Sequence, residues 1–290
     1  MNDAHDSTTR REVLVAAAGA AASLGCAPLR QAGRLPALFV SHGSPMVALA
    51  TDDYAAALRR FGAAQVPSAI LVVSAHWETH AVRVTGAAWP ETLHDFGGFA
   101  EALYRLSYPA PGAPELAQDV ATRLAGAGFA AEVDASRGLD HGAWIPLRLA
   151  FPDARIPVVQ VSLPLARDPA VLARMGAALA PLRDRGVLLV GSGGVVHNLR
   201  RVNFRDAHAA VEPWAQSFDR WIGERVSALD APALARWPDA PHARDAVPSS
   251  EHFDPLLVVL GSASDGERVE HVYEGFRHGT LSMRCFAVLS

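Results

Sequence analysis

A chain of 290 residues, half of them apolar and 19% charged, can bury a sizeable core as one large domain or two small ones. A formal net charge of −4 with no basic run excludes a nucleic-acid backbone as partner, and the lack of any lysine among the 26 basic residues excludes Schiff-base, pyridoxal-phosphate and P-loop chemistry. Cys26 and Cys285 cannot build a disulfide framework or a thiolate zinc site, so a metal would rest on carboxylates and on the 12 histidines.

The chain opens with Thr9-Arg10-Arg11-Glu12-Val13-Leu14, followed by an alanine-rich apolar run over residues 13–25. A paired-arginine segment before a short apolar stretch predicts a twin-arginine export signal over residues 1–34, and therefore a periplasmic protein. The alternative is an unstructured extension on a cytoplasmic protein. The run is too short and too rich in Ala and Gly to span a bilayer, so no stable membrane partner is expected. Residues 35–290 are then the catalytic domain.

Its first strand is Leu38-Phe39-Val40-Ser41-His42-Gly43-Ser44-Pro45, an apolar run that ends in a histidine, small residues and a proline. A buried strand reads this way when it delivers a side chain to the mouth of a sheet. A helix follows over residues 52–61, capped by Thr51 or Asp52. The pattern repeats in Ile70-Leu71-Val72-Val73-Ser74-Ala75-His76-Trp77, after which residues 81–85 predict an antiparallel neighbour of that strand. Residues 89–112 are rich in Pro, Gly and aromatics and predict a lid or pocket wall. A helix over residues 114–127 has Pro at its start and Gly128 at its stop.

A strand over residues 129–134 leads to a loop at 138–142 and a helix beginning at Trp144. Residues 156–162 form a buried strand and 169–183 a helix. The strand Val187-Leu188-Leu189-Val190-Gly191-Ser192-Gly193-Gly194 runs toward His197. A long helix over 206–228, a loop over 240–250, a helix over 251–260 capped by Ser249 or Ser250, and a closing strand over 281–289 complete the chain. Strands alternate with helices, so the predicted fold class is α/β: a single three-layer domain with a central mixed sheet flanked by helices.

Histidines at the ends of several strands point to a metal centre. His42 and His76 are the first candidates, with His197 and His252 at similar junctions. His76, Glu78 and His80 are a rival set, sharing one face if the strand continues. Either Glu251 or His252 reaches the metal, since neighbouring helical side chains diverge. Gly191-Ser192-Gly193-Gly194 half matches a dinucleotide loop but lacks the third small residue. There is neither a G-x-S-x-G elbow nor an H-E-x-x-H helix.

Taken in order, Ser41-His42-Gly43-Ser44-Pro45, Ser74-Ala75-His76-Trp77-Glu78-Thr79, His94-Asp95-Phe96, Tyr108-Pro109-Ala110-Pro111-Gly112, Leu139-Asp140-His141-Gly142-Ala143-Trp144, Gly191-Ser192-Gly193 through His197-Asn198-Leu199, and Glu251-His252-Phe253-Asp254-Pro255-Leu256 resemble the DOPA-dioxygenase-type class III extradiol dioxygenases. These are relatives of the catalytic subunit of protocatechuate 4,5-dioxygenase. The resemblance covers residues 36–290 and implies oxygen-dependent opening of a small catechol ring, in aromatic compound metabolism.

It implies a divalent metal on His42, His76 and His252, Fe(II) for turnover with Zn(II) possible at the same site. His197 would be an acid/base beside the metal, or a fourth metal ligand without substrate. Neutral imidazoles leave a positive site that favours a catecholate. Asp140 would orient His141, which would donate a hydrogen bond to oxygen or to a substrate hydroxyl. Val247-Pro248 stands where many members carry His-Pro, a departure expected to bear on catechol specificity. The alternatives are an exported metal-binding protein of the same fold without dioxygenase activity, and a zinc-dependent hydrolase.

Overall fold

The computed structural model describes Met1 and residues 33–290; the predicted export signal lies outside the described residues. The main sheet is built from strands β1 (Ala37–Ser41), β2 (Ala69–Thr79), β3 (Val82–Thr85), β4 (Ala131–Asp134), β5 (Val158–Pro164), β6 (Val187–Gly193), β7 (Arg268–Tyr273) and β10 (Cys285–Leu289). A two-stranded ribbon, β8 (Phe276–Arg277) with β9 (Leu281–Ser282), leads into β10. The strand order is β4-β3-β5-β2-β6-β1-β10-β7. The central four strands are mutually parallel, β5 with β2, β2 with β6 and β6 with β1, whereas β3 meets β5 and β10 meets β1 antiparallel. The sheet is therefore mixed, as the sequence predicts.

The alternation of side chains along each strand supplies two cores. Leu71 and Val73 of β2 join Phe39, Val161 and Leu189 on one face, while Ile70 and Val72 join Leu38, Val40, Val158 and Leu188 on the other. This is why the central strands read as continuous apolar runs: both faces are covered. Each such Val, Leu or Ile contributes about 1.5–3 kcal/mol of burial. Helices α3 (Pro114–Gly126), α5 (Pro169–Leu179), α6 (Pro213–Ser227) and α9 (Asp254–Gly261) cover the first face, and α1 (Asp53–Ala63) and α4 (His141–Ala150) the second. Short helices α2 (Glu101–Tyr104), α7 (Ala231–Ala235) and α8 (Ala243–Ala246) complete the set among the described residues. None of the described helices is long and apolar enough to cross a membrane.

Several elements depart from expectation for identifiable reasons. β3 is not the neighbour of β2, because both edges of β2 are taken by parallel partners; it pairs with β5 and β4 instead. The helix expected over 206–228 begins only at Pro213, a residue suited to a first turn because it has no N–H to leave unpaired. Likewise α9 begins at Asp254 before Pro255, and residues 251–253 form a turn. Asp52 caps α1 through the Ala55 N–H at 3.2 Å. The strand β10 is not the edge; β7, which the sequence reading missed, lies outside it.

Candidate metal centre

The carboxyl ends of the parallel strands β1, β2 and β6 open on the same side of the sheet, where such sheets place their sites. His42 follows β1 directly and is held by its backbone N–H to Gly193 O, 3.0 Å away at the end of β6. His76 sits on an irregularity in β2: the pairing with β5 shifts between Val73 and Glu78, and such bulges re-aim side chains. His252 comes from the turn before α9. Its carbonyl accepts the Gly194 N–H at 2.8 Å, and a Cβ on Gly193 would lie 2.0 Å from the same oxygen. The glycine-rich end of β6 is thus a close packing surface for the 251–253 turn, not a nucleotide loop. Gly142 does the same for α4, since a Cβ there would lie 2.9 Å from the His76 ring.

His42, His76 and His252 each place a ring nitrogen within 4.8 Å of the others. The Nε2 atoms of His42 and His76 are 3.0 Å apart. Two outer partners fix two of the tautomers. Ser192 donates its hydroxyl to Gly142 O, so its oxygen accepts Nδ1–H from His42 at 2.9 Å and leaves the His42 Nε2 unprotonated, facing His76 Nε2. Glu251 accepts Nδ1–H from His252 at 3.0 Å, and the His252 Nε2 is buried without a hydrogen-bond partner among the described residues. A bare, buried imidazole nitrogen beside two others fits a divalent cation, for which nitrogen ligands stand about 2.0–2.1 Å from the ion.

The choice between Glu251 and His252 resolves as His252 facing the cluster and Glu251 behind it. The bond from His252 holds the Glu251 carboxyl down at about 2, against its burial. The rival set is not assembled: Glu78 pairs with Arg167 at 2.6 Å, and His80 is exposed.

His197 lies flat on His252, with ring centroids 3.5 Å apart and planes 8° from parallel. It also shares a 4.8 Å neighbourhood with Glu251 and His252. Lone pairs of parallel rings do not converge on one point.

His141 also faces the cluster, its ring centroid 3.9 Å from that of His76. Asp140 does not orient it, contrary to expectation. Asp140 is the N-cap of α4, which begins at His141 rather than Trp144, and accepts from Ala143 N at 3.1 Å. Its carboxylate also accepts from Ser74 Oγ at 2.8 Å and from Gln160. Ser74 in turn accepts the His76 N–H at 3.2 Å, so Asp140 braces the bulge that carries His76. The partner of His141 is Asp95, whose Oδ1 accepts both its backbone N–H at 2.9 Å and its Nδ1–H at 3.0 Å. Burial raises the Asp95 carboxyl, but these bonds outweigh it and hold it at about 2. Asp95 stands in the Pro-, Gly- and aromatic-rich stretch, and the His94-Asp95-Phe96 motif was its only signal.

The histidines line a cavity of about 220 Å³ whose other walls include Phe96, Phe99, Leu199, Phe204 and Leu281. Val247 does not line it; it is buried in the core at the end of α8. Burial lowers His42 well below its ordinary value, with His76 adding to the effect. Burial likewise lowers His76 to about 2 and His197 to about 3. All three are neutral at pH 7 and able to offer lone pairs.

A stability profile follows for the metal-free protein. The unfolded chain binds these protons near pH 6.5 and the folded one does not. The histidine contribution is therefore fully present above about pH 6.5 and lost as pH falls toward the folded values, by up to about 1.4 kcal/mol per pH unit for each histidine. Urea midpoints of chelator-treated protein should be flat above about pH 7 and fall steeply below about pH 6. An equal slope in the double variant His42→Ala, His76→Ala would show that other groups carry it.

The chain matches the family model of the catalytic LigB subunit of aromatic ring-opening dioxygenase over residues 36–285. It is 41% identical over 254 residues to a 4,5-DOPA dioxygenase extradiol of Escherichia coli K12, covering 86% of this chain and 93% of that protein. It is 39% identical to a protein of the same name from Beta vulgaris, over 84% of this chain and 92% of that one. A crystal structure of an uncharacterized Escherichia coli K12 protein superposes with a TM-score of 0.76 at 37% identity, covering 88% of this chain and 100% of that one. With its fold, its histidine cluster and these relatives in agreement, the chain belongs to the class III extradiol dioxygenases, the family of the catalytic LigB subunit.

Proposed function

We propose that the protein opens the ring of a small catechol with O2, using one divalent metal, Fe(II) for turnover, on His42, His76 and His252. The observation that carries this reading is the buried, unpartnered Nε2 of His252 beside the facing Nε2 atoms of His42 and His76, in a cavity whose other walls are mainly apolar. When bound there, the metal supplies a Lewis-acidic point at which a catecholate and O2 meet.

His197, neutral because burial holds its pKa at about 3, accepts a proton from a catechol hydroxyl and later returns it. A catecholate in the cavity would favour the protonated ring, which makes the transfer reversible. Asp95 fixes the His141 ring with Nε2 toward the cavity, where it accepts a hydrogen bond from a substrate hydroxyl or, once protonated, donates one to a substrate oxygen. Phe96 packs edge-on against His141 at 5.6 Å and helps keep water from the ring.

Anaerobic loading with Fe(II), followed by oxygen uptake with a panel of catechols, tests the reading. Uptake that depends on iron and on a catechol is expected. Hydrolysis by the zinc-loaded protein with no uptake in the iron-loaded one would replace it with the hydrolase alternative.

Export through the twin-arginine route is proposed from Arg10 and Arg11 with the apolar run that follows. That route carries folded proteins, so metal loading would precede export. Fractionation of cells making the Arg10→Ala, Arg11→Ala double variant should find the protein in the cytoplasm and the unaltered chain in the periplasm. An intact, wholly cytosolic unaltered chain would sink the assignment.

A further inference from the structure

His42 and His252 are both registered on the end of β6, through Gly193 O and the Gly194 N–H. His76 is not. The pairing of β2 with β6 ends at Ser74 opposite Ser192, and its pairing with β5 resumes only at Glu78 opposite Leu163. Residues 75–77 therefore have no ladder partner among the described residues. Ser74 and Asp140 brace the entry to this stretch. Its exit needs a different hold.

Arg167, in the short connection between β5 and α5, supplies it. Its Nη2 donates to Glu78 Oε1 at 2.6 Å, two positions beyond His76, and its Nε to Asp254 Oδ2 at 2.5 Å, two positions beyond His252. Nη1 donates to Pro164 O at 2.9 Å, which pins the fork to the end of β5. The Arg167 and Asp254 side chains are 9% and 4% exposed, so solvent does little to screen the pair. Asp254 also accepts from Ser250 Oγ at 2.9 Å, and its N–H donates to Ser250 O at 2.9 Å, closing the turn that carries His252. Asp168 caps α5 through the Val171 N–H at 2.8 Å and so anchors the connection that presents Arg167. A planar guanidinium can hold three acceptors at fixed angles, where a lysine offers a mobile point charge.

We infer that Arg167 is a positioning residue for the metal centre. It clamps the strand exit after His76 to the turn bearing His252, and so sets the spacing between two of the three ligands. Arg167 does not line the histidine cavity, and it acts only through the two backbone segments. The inference rests on the metal assignment above and extends it to a residue outside the cavity. Cutting either arm opens the clamp, so cutting the second should then add little.

The probe is Co(II), titrated by calorimetry into the metal-free full chain without catechol or O2, with the visible absorption of the bound ion read in parallel. Glu78→Gln cuts the β2 arm and Asp254→Asn the α9 arm. Each should weaken Co(II) binding roughly tenfold, the lower end of the loss when an outer partner of a metal ligand is removed, and should shift the cobalt band. The double variant should lose little more than either alone, rather than the roughly hundredfold of independent effects. Arg167→Lys should recover part of what Arg167→Gln loses. Glu267→Gln is the control. It weakens another buried ion pair, with Arg183 at 2.6 Å, next to Leu35 at the amino end of β1. It should lower the urea midpoint and leave Co(II) binding unchanged.

Unchanged affinity and an unchanged cobalt band in folded Glu78→Gln and Arg167→Gln proteins overturn the clamp and leave Arg167 a stabilising ion pair. Losses that multiply in the double variant overturn it as well. If Asp254→Asn does not fold, Arg167→Lys combined with Glu78→Gln replaces it in the comparison. An unaltered chain that binds no Co(II) overturns the clamp together with the metal assignment. Clamp-dependent binding in a protein that opens no catechol keeps the clamp and removes the ring-opening reading instead.

Discussion

The His42→Ala protein is expected to fold and to lose its metal. His42 brings to the proposed centre a nitrogen whose tautomer is set by Ser192, so its removal would delete a ligand and also the geometry around it. Removing only an outer hydrogen-bond partner of a metal ligand costs roughly 10–100-fold in affinity. Glu251→Gln, which weakens the grip on His252 Nδ1, should fall in that range. His42→Ala, His76→Ala and His252→Ala should each fall well beyond it, leaving far less than one metal per chain after dialysis. Elemental analysis alongside circular dichroism separates metal loss from unfolding. A full complement of metal in folded His42→Ala and His76→Ala proteins would contradict the assignment of these residues.

The second large effect belongs to His197. Its ring lies parallel to His252 with centroids 3.5 Å apart, an orientation that suits proton exchange with a bound substrate better than sharing an ion with His252. His197→Ala should therefore retain iron and bind catechol, yet turn over roughly 10²–10⁴-fold more slowly. Three protein ligands would leave room on a six-coordinate ion for both catechol oxygens and O2, which a fourth protein ligand would reduce. Metal content and single-turnover rate, measured on one preparation, tell the roles apart. Collapse of both would make His197 an obligate ligand, and an unchanged kcat would leave it a packing residue.

Much of this centre was legible in the chain. Leu38 to His42 and Ile70 to His76 read as buried strands ending in histidine, because both faces of the central strands are covered and no polar alternation interrupts them. That they open on the same side follows from their parallel pairing with β6, which βα alternation implies.

What the pattern could not show was which carboxylate holds which imidazole. Asp140 precedes His141 directly and so looked like its partner, yet an N-cap turns its side chain back toward the helix N–H groups. Asp95, 46 positions away, approaches only when the chain over residues 89–112 folds across the cavity. Nor does any periodicity announce the bulge that aims His76, or the Gly193 contact that seats His252. Both depend on backbone approaches between distant segments. β7 was missed because its residues are only half-buried at a sheet edge and lack the apolar run of the central strands.

The most direct test of the central claim is the mass of the product from the anaerobically iron-loaded protein, mixed with one equivalent of a catechol and then with O2. Ring opening adds both oxygen atoms of one O2 to the catechol with no other loss, and the aromatic absorbance disappears. That product, formed by the unaltered protein and strongly reduced in His197→Ala, is the predicted result. A quinone, which is the catechol less two hydrogens, or unreacted catechol with the iron still bound, would contradict it.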